Sequence, residues 1–390
     1  MEKKYLIVNI GSVSKKYALY EADKELCRVY LEKNGSEYMS FVFVDGRKEE
    51  EPVTSDKFEK ALEYLLEIFK ARGFVADKTE ISAIGVRVVA QGAFFQQNRI
   101  VDDEYMKKLE EDKEEVPIHV GKVLTELAYL KEIFVGIKIV GVSDSVFHNS
   151  MPSSSNTYGL PQDVVEKYEL KRYGYHGISI QSIINKLSTK GAVPNRLIVC
   201  HLGGGASVTA IRDGKSLDTS MGFSPAEGLM TATRVGNIDP VAVLYLSQKL
   251  GKSVADMQSY LNKESGLLGV SGKTSDIRDL IEFERRGEAS AKLALELFTY
   301  GIRKYIGAYM AALGGADMVV FSGTIGERSS IIRGRVLSSL EDLGIKIDQK
   351  KNNATDSSDT VISTWRSKVK VMVMNTDEVA EIARQTRVLL

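Results

Sequence analysis

Three short stretches rich in glycine and hydroxyl side chains could hold an anion: GSVS at 11–14, GGGAS at 203–207 and SGTIGE at 322–327. Each follows an apolar, strand-like run. A strand feeding such a turn leaves several backbone N–H groups free to converge on one anion. Glycine permits the dihedrals this needs and lets a phosphate approach the main chain. Ser12 and Ser14 in the first turn, and Ser207 in the second, add hydroxyl donors. After the first two turns comes a second strand-like run, SKKYALYE and SVTAIRDGK. The Rossmann and P-loop patterns require a helix there and are excluded. A plain tight hairpin would explain one copy. Two copies, beginning near Tyr5 and Arg196 and each leading one half of the chain, are better explained by duplication of a nucleotide-holding element.

Charged groups that could work beside such turns are few. Arg87 sits in GVRVV, and Arg234 in TRVGNIDP, where Gly236 and Asp239-Pro240 mark a bend. Taken alone, an arginine at either place is more often a surface ion pair than a catalytic group. Asp144 ends the apolar run in GIKIVGVSDSVFH (136–148). That is where α/β folds place functional carboxylates; capping of the next segment is the lesser alternative. The four histidines, His119, His148, His176 and His201, show no metal-ligand spacing.

The elements that must position these groups alternate between strand and helix, which predicts an α/β fold. SDKFEKALEYLLEIFKARG reads as one helix capped by Ser55 and closed by Gly73, with Leu62, Leu65, Leu66 and Phe69 on its apolar face. ISAIGVRVV (81–89) reads as a strand and VGKVLTELAYLKEIF as a helix. A long helix over about 290–313 is expected to bury Leu293, Leu297, Phe298 or Tyr300, Ile302, Tyr305 and Tyr309. The polar run 348–360 reads as an exposed loop, and the end of the chain as a strand, an Asn/Thr/Asp cap and a helix.

The composition is that of a globular protein, and 52 basic side chains balance 52 acidic ones. That removes any global electrostatic case for nucleic acid or an anionic membrane as partner. No apolar stretch approaches the ~18 residues of a membrane span, and YLIVNI is too short for a signal-peptide core. Cys27 and Cys200, each inside a strand-like run, fit two buried thiols in a reducing, cytoplasmic compartment.

VNIGSVSKKYALYE, RYGYHGIS, HLGGGASVTAIRDGKSLDTSMGFSPAEGL, TRVGNIDP, KESGLLGVSG, SDIRDL, GTIGE and NTDEVAEIAR closely resemble the acetate/propionate/butyrate kinases of the actin-like ATPase superfamily, acetate kinases above all. The resemblance runs in order along essentially the whole chain. It implies two similar actin-like (ribonuclease H-like) domains facing each other across a nucleotide-binding cleft, formed by 1–147 with 375–390 and by 148–374. It implies reversible phosphoryl transfer between ATP and acetate, giving acetyl phosphate and ADP, in a cytoplasmic homodimer that uses Mg2+, with Mn2+ as the alternative ion. Arg87 and Arg234 would hold the carboxylate and the phosphoryl group, a task suited to a planar, permanent charge. His176 would stabilise that phosphoryl group and His119 would assist. Asp144 would orient the site, and Asn9 and Glu378 would serve the metal ion. Val89, Ile118, Tyr175 and Pro225 match the pocket for the methyl group. Ser12, Ser14, Lys16, His201, Gly203, Gly204, Gly205, Asp276, Ile277, Arg278, Gly323, Thr324, Ile325 and Gly326 match nucleotide-side positions. On their own settings His148 and His201 read as structural. A propionate- or butyrate-preferring relative and a non-catalytic nucleotide-binding paralogue are the alternatives.

The chain departs from the family pattern at a few points. HLGNG is HLGGG, so Gly204 replaces an asparagine; GHRVVHGG becomes GVRVVAQGA, so Val86 and Ala90 replace histidines. Tyr175 stands for a phenylalanine, and Thr324 for the first glycine of GIG. The Tyr175 hydroxyl is a group that could favour a more polar acid.

Overall fold

The computed structural model describes residues 2–11, 14–115, 117–191, 193–355 and 359–390; the side chains at 34, 113–115 and 117–119 are not among those described. The chain forms two units, one from Met1–Val146 with Asp377–Leu390, the other from Phe147–Thr376. Both are α/β.

The first unit carries a sheet of eight strands: β1 (Lys4–Ile10), β2 (Ser14–Glu21), β3 (Lys24–Asn34), β4 (Glu37–Val44), β5 (Arg47–Pro52), β6 (Ile81–Val88), β7 (Arg99–Ile100) and β8 (Lys138–Ser143), in the order β5-β4-β3-β2-β1-β6-β8-β7. β1, β6 and β8 are parallel, and β1 to β5 form an antiparallel meander. Parallel strands need cover on both faces, and the parallel trio is accordingly almost continuously buried. The C-terminal helix, Glu378–Leu389, supplies part of that cover. It lies so close to β6 that a Cβ on Gly85 would stand 2.0 Å from Thr386 Oγ1.

Tyr17 on β2 is buried and donates to Glu126 Oε1 at 2.8 Å. Burial raises the Glu126 carboxyl above its ordinary value of 4.5, and Lys15 and the Tyr17 hydrogen bond only partly oppose it. A carboxyl with a raised folded-state value adds stability below its ordinary value and loses it as pH climbs through the raised one. Glu126→Gln, which keeps the acceptor for Tyr17, should therefore raise the unfolding temperature at pH 8. The gain should vanish near pH 4 in thermal scans at the two pH values; an equal gain at both would refute it.

The second unit holds β9 (Arg196–Leu202), β10 (Ala206–Arg212), β11 (Lys215–Thr219), β12 (Met318–Ser322), β13 (Thr360–Val361) and β14 (Lys370–Val373), ordered β11-β10-β9-β12-β14-β13 with β9, β12 and β14 parallel. β1–β2 and β9–β10 are hairpins in both units, as the repeated sequence element predicts.

Several local expectations are corrected. The first helix is two, Ser55–Glu59 and Ala61–Ala71, broken at Lys60, and Thr54 rather than Ser55 caps it by accepting from Lys57 N. The long helix spans Ala289–Leu313, but its buried face is Leu295, Phe298, Ile302, Ile306 and Tyr309; Leu293, Leu297 and Tyr300 are 49%, 43% and 63% exposed. The stretch from 348 is no simple loop. Asp348 caps a helix, Gln349–Ala354, whose Asn352 is buried. After β12 the SGTIGE segment opens a short helix, Gly323–Arg328. Cys27 and Cys200 are free and buried, and burial pushes the Cys27 thiol up to about 12. Among the described residues no helix is long and apolar enough to cross a membrane.

Candidate active site

In the first unit the carboxyl ends of the parallel trio gather the charged groups. Asn9 lies near the end of β1, Arg87 near the end of β6, and Asp144 just past β8, its N–H donating to Val88 O at 2.9 Å. Arg87 donates through Nη2 to Asp144 Oδ2 at 2.9 Å and through Nη1 to Asn9 Oδ1 at 3.4 Å. Nη1 also reaches Glu378 Oε2 at 3.5 Å, and Asn9 Nδ2 donates to the same oxygen at 2.8 Å. Glu378 begins the C-terminal helix, whose cap, Asp377, accepts from Ala380 N and pairs with Arg28. Burial works against the Arg87 charge, yet Asp144 and Glu378 outweigh it and hold the guanidinium above its ordinary value. Its Nε is buried with no partner among the described residues. The result is a fixed cation with one donor unused.

Val89 follows directly, half-buried. Ser14 opens β2, its carbonyl accepting from Gly11 N at 2.8 Å, while Lys16 stands over the Tyr30 ring. Ser12 lies outside the described residues, as do the side chains of Ile118 and His119.

The second unit builds its own cluster around the β9–β10 turn. Gly203 N donates to Gly205 O at 2.8 Å. A Cβ on Gly205 would lie 3.0 Å from His176 Nε2 and 3.5 Å from Arg234 Nη1, and one on Gly203 would lie 4.0 Å from Thr324 N. The His176 and His201 ring centres are 4.6 Å apart. Ser207 Oγ is 3.0 Å from His176 Nδ1, and Ser322 Oγ is 3.2 Å from His201 Nδ1. His176 has a left-handed backbone at φ 63° and caps the helix Gly177–Thr189. Burial pulls the Arg234 guanidinium below its ordinary value. The second unit therefore gathers His176, His201, Arg234, Gly203, Gly205 and Thr324. Asp276 instead caps the helix Ile277–Arg285 and pairs with Arg278, while Ile277 is core. His148 is buried between Ser216 Oγ and Tyr175 O.

Two features were not legible in the sequence. The Tyr175 hydroxyl is already committed, donating to Phe223 O at 2.8 Å beside the buried Pro225. Arg333 is fully buried, and among the described residues no carboxylate pairs with it. It donates to Gly326 O at 2.9 Å, Glu327 O at 2.6 Å, Asn352 Oδ1 at 2.8 Å, Asn352 O at 2.8 Å and Thr355 O at 3.1 Å. Burial pulls its guanidinium down to about 10. It ties the carbonyls of the Gly323–Arg328 helix to the helix Gln349–Ala354. Its sequence signal was slight: an arginine at an apolar position of a helix.

Gly204 is exposed, and a Cβ there would meet nothing within 4 Å. An asparagine would fit without strain. Restoring one neutral hydrogen bond is worth ~1 kcal/mol, so Gly204→Asn should lower the KM for nucleotide about fivefold. A steady-state titration showing no change would mean that the side chain finds no phosphate.

Comparison with known proteins finds matches along nearly the whole chain. The family model described as the acetokinase family matches residues 4–384. The acetate kinase of Acetivibrio thermocellus is 38% identical over 391 residues, covering 98% of each chain. A crystal structure of Porphyromonas gingivalis acetate kinase superposes with TM-score 0.85 at 35% identity, covering 99% of both chains. That of a propionate kinase from Francisella tularensis gives 0.87 at 32% identity, covering 100% of both. With a full-length family match and relatives this similar from end to end, the chain belongs to the acetokinase family.

Proposed function

We propose that this chain transfers the γ-phosphoryl group of ATP reversibly and directly to acetate, giving acetyl phosphate and ADP. The observation that carries the reading is Arg87: a guanidinium fixed by Asp144, Asn9 and Glu378, with a buried Nε donor unused. Such a donor suits a substrate carboxylate, which accepts a forked pair of hydrogen bonds. A carboxylate oxygen attacks phosphorus in line. The new C–O–P linkage forms as the bond to the β,γ-bridging oxygen breaks, and the electron pair leaves with ADP. Little covalent chemistry is asked of the protein; neutralisation and alignment dominate.

Arg87 holds the carboxylate, and Asp144 keeps its guanidinium aligned. In the tautomer in which Ser207 Oγ donates to His176 Nδ1, the proton sits on Nε2, from which it would donate to charge developing on the phosphoryl oxygens. Arg234 neutralises the same group. Among the described residues no three His, Cys, Asp or Glu side chains converge on a metal ion. Asn9 and Glu378 still suit magnesium, which keeps several waters and takes one or two carboxylates plus substrate phosphates. Bound there, the ion would neutralise phosphate charge.

A propionate preference is the second reading, since a propionate kinase is among the structural relatives. One methylene in an apolar pocket is worth only ~1–3 kcal/mol. Homodimerisation through the second unit fits its exposed apolar side chains. The helix Pro240–Leu250 buries no residue and exposes Val241, Leu244 and Tyr245, and Leu293, Leu297 and Tyr300 lie open on the long helix. Light scattering that reads a single-chain mass would refute it. A cytoplasmic location fits two free thiols, and periplasmic recovery in fractionation would refute that.

The decisive assay is ATP- and magnesium-dependent acyl phosphate formation with acetate, propionate and butyrate, trapped by hydroxylamine. Turnover peaking on one acid supports the reading and settles the chain length. Nucleotide binding without turnover on any acid would favour a non-catalytic paralogue.

A further inference from the structure

Gln91 stands in the turn that leaves β6, four residues after Arg87 and two after Val89. Its main chain is fixed, the N–H donating to Asp112 Oδ2 at 3.0 Å, and Gly92 then takes φ 90° to start a short helical turn. Its side chain is only 6% exposed, yet among the described residues neither Oε1 nor Nε2 has a hydrogen-bond partner. Native proteins satisfy nearly all buried polar groups, and an orphan one calls for a reason. A purely structural position would be better served by leucine, which carries no desolvation cost. The turn lies at the carboxyl ends of the parallel strands, where ligands of α/β sheets bind. A carboxamide offers one donor and one acceptor side by side. A hydroxyl answers both.

We propose that Gln91 determines which acid is accepted, selecting a short acid with a hydroxyl on the carbon next to the carboxylate. This rests on the reading of Arg87 as the carboxylate holder, since Arg87 and Gln91 lie four residues apart at the carboxyl end of β6. It also explains what the Tyr175 hydroxyl does not. That group's proton is spent on Phe223 O, so it could only accept from a polar acid.

The test compares glycolate with acetate on the wild type, Gln91→Leu and Gln91→Gly, with ATP and magnesium. The glycolate-to-acetate ratio of kcat/KM should fall about tenfold in both variants, the size of one lost hydrogen bond with its partner left unpaired. Gln91→Leu should also melt at a higher temperature than the wild type. A ratio that moves less than twofold in variants with native circular dichroism overturns the proposal. If the wild type turns over neither acid, the kinase reading fails, and ligand-induced melting shifts measured without nucleotide judge Gln91 separately. A glycolate shift exceeding that of acetate, and lost in Gln91→Leu, supports the proposal. An equal shift with both acids, or one that survives the substitution, overturns it.

Discussion

Replacing Arg87 by alanine should lower kcat by roughly 10^2-fold or more, because the acid loses the group that holds its carboxylate in line and a misplacement of about 1 Å alone costs about a hundredfold. The substitution also strips its partners. Asp144 is 1% exposed, and without the guanidinium it becomes a buried carboxylate with its principal cation gone. Breaking one half of such a pair costs about 3–5 kcal/mol, so the single variant should lose stability as well as activity. The two losses separate in Arg87→Ala/Asp144→Asn. Removing the buried charge should recover most of the stability in urea titrations while kcat stays at the floor. Recovery of both would mean that Arg87 is an architectural cation. Retention of kcat in the single variant would remove the observation on which the proposed reaction rests.

Gly266→Ala should be nearly as damaging, although nothing at position 266 bears charge. Gly266 opens a short helix, Gly266–Ser271, at φ 66°, and an added Cβ would lie 2.3 Å from Thr231 O and 2.8 and 2.9 Å from the N and O of Arg234. Those atoms are backbone and have no side-chain slack. The turn they form is laced to the helix start: Leu267 N donates to Thr231 O at 2.9 Å, Leu268 N to Ala232 O at 3.0 Å, and Ser265 N to Thr233 O at 3.1 Å. Left-handed strain plus a backbone collision should cost roughly 3 kcal/mol or more. The displaced turn carries Arg234 with it. A misplacement of about 1 Å costs about a hundredfold in rate, so kcat should fall at least that far even where the protein stays folded. Wild-type kcat in a folded Gly266→Ala protein would show that the turn yields harmlessly.

The hairpins β1–β2 and β9–β10 were readable because each is an apolar β-branched run, a small-residue turn and a second run, all local signals. The extent of Ala289–Leu313 was readable for the same reason, but its inner face was not. Apolar residues occupy both sides of that helix, and periodicity cannot tell a core-facing leucine from an exposed Leu293. The helix Gln349–Ala354 was invisible because its buried residue is an asparagine, placed there by the acceptors Arg333 requires from a distant part of the chain. Around the candidate site, the motifs named the residue types. The ties that set their geometry, such as Asn9 to Glu378 or His176 to Ser207, join segments far apart in sequence and leave no local trace. Gln91 shows the limit most clearly. Its sequence neighbours say turn, and only burial without a partner makes it notable.

Glu378 meets Asn9 across 369 positions, and the helix it begins covers the parallel strands of a sheet whose other parts all precede residue 147. On a ribosome this sets an order of events. The first sheet emerges early and then waits, with the face around Gly85 uncovered, until the whole of 147–376 has been made. At roughly 5–20 residues per second the wait is tens of seconds. During it the nascent chain shows bare apolar strand surface to the cell, a natural client for a chaperone. A message cut short before codon 377 would yield a product with Arg87 in place and neither Glu378 to pair with it nor a helix to cover the parallel strands beside it.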